Sequence, residues 1–120
     1  MSDIEDLKGQ TIVKIIGAEV GSYRIELRLA NGDNYVMYHR ALCCESVEIC
    51  QIDGDINDLL GSPLTMADES TNSEDSTGIE HLESFTWTFY KFATVKGYVT
   101  ITWLGESNGN YSESVEFYKL

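Results

Sequence analysis

The chain has 120 residues, of which 42% are hydrophobic, and its formal net charge at pH 7 is -12. This length predicts a single domain over residues 1–120 with one modest core, and the apolar fraction excludes a disordered chain. The negative charge disfavours direct binding to nucleic acid, and the lack of an apolar run of roughly 18 residues disfavours a membrane span.

The first third of the chain predicts three strands. Residues 10–16 are rich in β-branched side chains, which favour extended backbone. Residues 23–30 alternate between apolar and polar side chains, as a strand with one buried face does. Asn31-Gly32 supplies the residues that a tight hairpin turn needs, because both accept a positive φ, and residues 34–40 form the return strand.

The middle of the chain predicts one strand, one short helix and one loop. Residues 46–52 alternate again, and residues 53–60 fit a short helix that Asp55 caps. Residues 64–71 are compatible with a strand or an extended loop. Residues 72–78 are small, polar and acidic, which predicts a loop.

The C-terminal part, residues 85–117, holds both tryptophans and predicts an antiparallel meander. Turn signals at residues 96–97 and 107–110 separate three alternating segments. Core positions are favoured for Trp87 and Phe89. We therefore predict a mainly β fold of seven or eight antiparallel strands, forming a strongly bent sheet or a small sandwich with one short helix.

The negative charge is concentrated in the acidic window, residues 41–90. Between Arg40 and Lys91 there is no Lys or Arg, whereas acidic residues recur throughout. They are Glu45, Glu48, Asp53, Asp55, Asp58, Asp68, Glu69, Glu74, Asp75, Glu80 and Glu83. Such a surface suits a basic partner, and it is also what keeps a protein soluble.

The first candidates for a metal or catalytic site are His39, Cys43 and Cys44, because imidazole and thiolates are preferred ligands of zinc. A structural zinc site needs four ligands, and Cys50 and His81 lie at no recognisable spacing. A catalytic Cys–His pair would need a thiol of depressed pKa. We therefore predict no metal, no cofactor and no catalytic residue. The odd cysteine count and the lack of a secretory signal predict reduced thiols in the cytoplasm.

A calcium-like pattern lies at Asp53-x-Asp55-x-Asn57, which copies the first three ligand positions of a calcium loop. Asp58 stands where this loop requires glycine, and Leu64 stands where it requires glutamate. A helix cap is therefore the better interpretation, and the three aspartates are retained as binding candidates through their charge.

The segment of residues 105–114 is polar and rich in hydroxyl groups at a predicted hairpin end, where recognition residues often lie. Aromatic residues such as Tyr38, Trp103 and Tyr111 either line a groove or pair across strands. The candidate binding residues are Tyr38, His39, Cys43, Cys44, Glu45, Asp53, Asp55, Asp58, Trp103, Glu106, Asn108 and Tyr111.

Four runs of residues stand out: MYH, CCESV, GSPL and TWTFYKFATVKGYVTITWLGESNGNYSESV. With these runs the chain resembles a family of small phage and prophage proteins of unknown function, over residues 8–117. The resemblance implies a viral or mobile-element setting and no established activity. It also makes His39, residues 43–45 and residues 105–114 candidate site residues by likeness.

Three kinds of function remain open, besides a structural or assembly role in a phage. The first, which we rank highest, is a non-enzymatic protein that binds a basic host protein, such as a nuclease or another nucleic-acid-binding defence component. The second is a binder or sponge for a small, nucleotide-like ligand, whose phosphate would need basic side chains to converge. The third is a Cys–His enzyme. Exposed sheet edges also make a homo-oligomer an open alternative.

Overall fold

The computed structural model describes residues 2–40, 45–75, 84–108 and 112–120, and the fold is mainly β, as predicted. Eight strands form two four-stranded antiparallel sheets, with orders β1-β2-β3-β8 and β4-β7-β6-β5. The strands are β1 Ile12–Ile16, β2 Arg24–Leu29, β3 Asn34–Tyr38, β4 Ser46–Asp53, β5 Met66–Asp75, β6 Ser84–Thr94, β7 Gly97–Ser107 and β8 Glu116–Lys119.

The two sheets share one hydrophobic core. In β2 the side chains of Ile25, Leu27 and Leu29 are buried, and those of Arg24 and Arg28 are exposed. The apolar face of this strand therefore packs into the core, as the predicted alternation requires. The second sheet contributes, among others, Val47, Ile49, Tyr90, Phe92, Val99, Ile101 and Trp103 to the same cluster. The arrangement is a small sandwich in which apolar faces of both sheets are removed from water.

Two hairpins organise the sheets. At the β2–β3 turn, Gly32 has a φ of +91°, and Asn31 accepts a hydrogen bond from the N–H of Asp33 at 2.9 Å. Strands β6 and β7, each eleven residues long, stay in register from Ser84↔Ser107 to Thr94↔Gly97. These two long strands are also the central strands of the second sheet.

The predicted meander is wrong at its last strand. Strand β8 pairs with β3 in the first sheet, where Met37 lies opposite Phe117, and not with β7. The side of β7 that does not pair with β6 pairs with β4 instead. Phe117 also stacks on Tyr35, with ring centroids 5.0 Å apart. The hydrogen-bonding partner of β8 is therefore β3, which is distant in sequence, and not β7, which directly precedes β8 in the chain.

The assignment of Trp87 and Phe89 to the core is also wrong. Both side chains are half-buried on the outer face of the second sheet, whereas Tyr90 and Phe92 of the same strand are buried inside. Both faces of β6 are partly apolar, so alternation alone does not say which face is turned inward. Strand β5 includes residues 72–75, which were predicted as loop, and residues 76–78 lie outside the described part.

The predicted helix is a single 3-10 turn, Ile56–Leu59, and a second such turn is formed by Ile4–Leu7. The predicted cap is confirmed, because Asp55 accepts a hydrogen bond from the N–H of Asn57 at 2.9 Å. Within the described ranges, no helix is long and apolar enough to span a membrane.

Three of the four sheet edges are covered by backbone hydrogen bonds. The N–H of Gly61 donates to β1, that of Gly21 to β4 and that of Ser2 to β8. Among the described residues, no comparable bond covers the outer edge of β5. Within the described part of the chain, this ten-residue strand therefore has no backbone hydrogen-bond partner on its outer side, and we call that side the free edge of β5.

Candidate functional site

A buried polar contact joins two of the predicted site residues. His39 follows β3 and Glu45 precedes β4, and the structure brings their side chains together with Nε2 and Oε2 3.3 Å apart. The two side chains are only 5% and 0% exposed. The contact has the length of an ion pair but is not aligned as a hydrogen bond.

The other ring nitrogen of His39 fixes the orientation of the imidazole. Nδ1 lies 2.8 Å from the carbonyl oxygen of Ser114, and because a carbonyl only accepts, Nδ1 carries a proton and donates it. His39 therefore links the end of β3 to the segment before β8 and places Nε2 against Glu45. This arrangement suits a structural link between elements.

Glu113 forms a second buried polar cluster; it lies in the candidate segment of residues 105–114 but is not among the individual residues predicted to bind. It is 8% exposed, and its Oε1 accepts hydrogen bonds from Ser84 at 3.1 Å and from Thr86 at 2.8 Å. Ser107 donates to its Oε2. Ser73 contacts the Thr86 hydroxyl at 3.3 Å and so extends the network to β5. Charge-assisted hydrogen bonds of this kind stabilise a carboxylate without a counter-ion.

The hydroxyl-rich composition of residues 84–88 and 105–114 was the available signal for this cluster. Composition does not specify that three hydroxyl groups from two strands converge on a single carboxylate. That convergence requires the β6–β7 register, in which Ser84 lies opposite Ser107.

The remaining predicted residues do not form one site. Glu45 precedes β4 and Asp53 ends it, so the two residues are roughly 26 Å apart along the strand at about 3.3 Å per residue, and Asp55 follows beyond the strand. Trp103 is fully buried in the core, which corrects its placement among surface binding residues. Glu106 and Asn108 are exposed towards the end of β7.

Tyr38 and Asp58 lie in other parts of the fold. Tyr38 lies on the outer face of the first sheet beside Tyr118, with ring centroids 5.9 Å apart. Asp58 lies in the second 3-10 turn, and its backbone carbonyl accepts a hydrogen bond from Thr94 at 2.5 Å. Three further candidates lie outside the described residues: Cys43, Cys44 and Tyr111.

Among the described side chains, no group of three His, Cys, Asp or Glu residues is placed to hold a metal ion. Cys50 is an exposed free thiol at the bulge of β4. Burial of the sulfur raises the pKa of Cys50, a backbone hydrogen bond opposes this effect, and the charge of Glu48 adds to it. A raised pKa leaves the thiol protonated, so Cys50 is a poor nucleophile.

The basic side chains of the described residues do not converge on one point. Arg24 and Arg28 both contact Glu26 on the first sheet, at 3.6 and 3.7 Å. Lys96 donates to the carbonyl of Leu60 at 2.7 Å in the region of the second sheet. Arg24 and Arg28 thus share one carboxylate on the first sheet, and Lys96 lies apart from them.

The acidic edge comprises Asp3, Glu5, Asp68 and Glu69, where the first 3-10 turn meets β5. These residues and Lys91 line a cavity of about 580 Å³. No ion pair of the described residues joins a Lys or Arg to an acidic side chain of the acidic window. None of these ion pairs involves Asp3, Glu5, Asp68 or Glu69, so four acidic side chains and one cation, Lys91, line the cavity.

Glu69 is the member of the acidic edge whose ionisation is most clearly perturbed. Burial raises the pKa of its carboxyl group, a hydrogen bond from Tyr90 opposes this effect, and the charge of Asp3 adds to it. The ionised form is therefore less stable in the folded protein than in the unfolded chain.

We expect Glu69→Gln to raise the melting temperature at pH 7 by roughly 1–2 °C, because it removes a disfavoured charge and keeps an acceptor for Tyr90. The folded-state pKa exceeds the ordinary value of 4.5, so the gain grows as the pH rises through the interval between them. Thermal unfolding monitored at pH 4 and pH 7 measures this gain. Glu5→Gln, at an exposed position, is the control, and a lower melting temperature for Glu69→Gln at pH 7 would contradict the argument.

Comparison with known proteins gives one match. Residues 5–117 match a family described as a domain of unknown function, DUF7448. No curated protein and no solved structure matches the chain. Since the match spans nearly all of the sequence, the chain belongs to the DUF7448 family.

Proposed function

We propose that this protein is a non-enzymatic binding protein whose acidic edge engages a basic protein. The observation that carries the proposal is the gathering of Asp3, Glu5, Asp68 and Glu69 around one cavity beside a free strand edge. Like charges held close together raise the local negative potential, which accelerates encounter with a positively charged surface.

The proposed setting is a phage or prophage protein that acts in the host cytoplasm. The proposed partner is a basic host protein that itself binds nucleic acid, such as a nuclease of a defence system. An acidic protein bound to such a partner would compete with phosphate backbones for the same cations and thereby inhibit it. The resemblance of the sequence runs to phage proteins supports this setting.

Two observations favour binding over catalysis. The His39 ring is held between the Ser114 carbonyl and the Glu45 carboxylate, so neither nitrogen faces open solvent. The pKa of Cys50 is raised, which disfavours a thiolate at neutral pH. Neither arrangement is that of an activated nucleophile and its base.

The test compares two triple variants that remove the same charge from different places. One neutralises the acidic edge with Asp3→Asn, Asp68→Asn and Glu69→Gln. The matched control neutralises acids elsewhere: Glu19→Gln, Asp33→Asn and Glu116→Gln. The immobilised proteins are incubated with bacterial lysate at about 50 and about 500 mM salt, and each recovered protein is then titrated in purified form.

We expect the wild-type protein to retain basic proteins at low salt and to lose them at high salt, because screening weakens exposed charge pairs. Neutralising the acidic edge should reduce the affinity at least about tenfold, and the control variant should change it about twofold or less. Recovery of no basic protein at low salt would overturn the proposal, as would equal losses in the two variants.

A further inference from the structure

The outer face of the second sheet carries an aromatic stripe formed by Phe85, Trp87 and Phe89. These side chains are half-buried and lie on one face of β6, which is a central strand. The rings of Phe85 and Trp87 are 6.0 Å apart and inclined by 28°. Neighbouring aromatic rings that lie half-buried on an outer sheet face form an uncommon apolar surface.

The neighbours of the stripe on β5 are small or polar, whereas on β7 Trp87 lies opposite Leu104. In the register of the sheet, Phe89 lies between Thr102 of β7 and Ser70 of β5. Trp87 lies next to Asn72 of β5. A shallow depression of about 440 Å³ runs over Trp87 and Phe89 and includes the polar side chains Gln51, Asp53, Asn72, Thr100 and Thr102.

Carboxylates flank the stripe on both sides. Glu48 and Asp53 stand on β4, Glu106 stands on β7 opposite Phe85, and Asp68 stands on β5. Within the four strands of this sheet, all of whose backbone is described, Lys91 is the only Lys or Arg. A ligand on this face therefore meets aromatic rings in the centre and negative charge at the rim.

This combination selects among ligand chemistries. A purely apolar partner would remove the carboxylates from water without compensation, and a phosphate would be repelled. An ammonium group would neutralise the carboxylates, but it is compact and strongly hydrated. A guanidinium group is also positively charged, and it is planar, stacks on aromatic rings and donates up to five hydrogen bonds. Arginine is thus the side chain that uses both the stripe and its rim.

We propose that the outer face of the second sheet is a docking surface for arginine side chains of the basic partner. The inference rests on the proposed function and deepens it, because it names the residue type that the partner presents. Alternate residues of β6 are roughly 6.8 Å apart, which is also the spacing of alternate residues in an extended peptide. Arginines in an Arg-x-Arg pattern therefore match successive rings of the stripe.

The experiment uses the full chain and two synthetic peptides, (Arg-Ser)4 and (Lys-Ser)4, titrated by calorimetry at about 50 mM salt. The peptides carry the same charge, so a difference in affinity reports stacking and hydrogen-bond geometry. We expect the arginine peptide to bind at least about fivefold more tightly, as cation–π contacts at partly exposed sites allow. Its binding should also change the emission of Trp87, since Trp103 is fully buried.

Variants separate the stripe from the acidic edge. Trp87→Leu with Phe89→Leu should reduce the arginine preference to about one and leave binding of the lysine peptide unchanged. Trp87→Phe should keep most of the preference, which controls for misfolding of the leucine variant. Tyr23→Leu removes an aromatic side chain that is 65% exposed before β2 and should change nothing. Asp3→Asn with Glu69→Gln, which leaves Asp68 at the rim of the stripe in place, should weaken both peptides equally.

Equal affinity of the two peptides for the wild-type protein would overturn the docking surface and leave the proposed function standing. Binding of neither peptide, at a salt concentration where charge pairs persist, would count against both. Sedimentation of the protein without peptide tests whether the stripe binds a second copy of the chain instead. A dimer that dissociates in the leucine variant would assign the stripe to self-association and overturn the arginine assignment.

Discussion

Replacing Glu113 with leucine is expected to lower the free energy of unfolding by about 3 kcal/mol, the largest effect of any single side chain considered in this protein. The substitution removes the acceptor of Ser84, Thr86 and Ser107 in a buried site. Each of the three hydrogen bonds lost from this site costs about 1 kcal/mol, and apolar burial of leucine recovers only part of the sum.

Thermal unfolding followed by circular dichroism measures this effect, and a decrease in melting temperature of about 10 °C corresponds to it. Glu113→Gln retains one carbonyl acceptor and should cost about 1 kcal/mol, which separates loss of hydrogen bonds from loss of shape. Glu106→Leu removes an exposed carboxylate on the outer face of β7 and should stay within about 0.5 kcal/mol of wild type. An unchanged stability of Glu113→Leu would show that the carboxylate is not a structural link.

Gly105→Ala is expected to cost about 2–3 kcal/mol, although it adds only one methyl group. A Cβ at position 105 would lie 2.7 Å from the Cβ of Glu113 and still closer to its carbonyl oxygen. The carbonyl belongs to the backbone, so it moves only if the segment before β8 moves away from the sheet. Loss of this close packing should also weaken the hydroxyl network around Glu113.

The control for Gly105→Ala is Gly21→Ala. Gly21 has a φ of +90° with open space around a Cβ, so its substitution measures backbone strain alone, about 1 kcal/mol. Chemical denaturation of both variants provides the comparison. If Gly105→Ala costs no more than Gly21→Ala, the packing of Glu113 on Gly105 is not as tight as described.

The fold class followed from local signals. Alternation in β2 and the Asn31-Gly32 turn predicted the first hairpin correctly, because side-chain burial and turn geometry are both encoded within a few residues. The last strand was assigned wrongly, because pairing with β3 joins residues about 80 positions apart. No local pattern distinguishes this pairing from a simple third strand of a meander.

The candidate site was predicted less well than the fold. The proximity of His39 and Glu45 could be predicted from the sequence, because both residues lie near the same bend at the end of a strand. The Glu113 cluster could not be predicted in this way, because its hydroxyl donors come from β6 and β7 and converge only in the observed register of these strands. The aromatic stripe was visible as alternation, but whether its face is buried is decided by the position of the other sheet.

The free edge of β5 has a further consequence for the behaviour of the protein at high concentration. An uncovered ten-residue strand is a template on which another chain can add by backbone pairing, the first step towards amyloid-like stacking. Asp68 and Glu69 near the start of this edge oppose such addition by a second copy, because like carboxylates would face each other. The charge that we propose for binding a basic partner is thus also expected to oppose self-assembly of the folded chain.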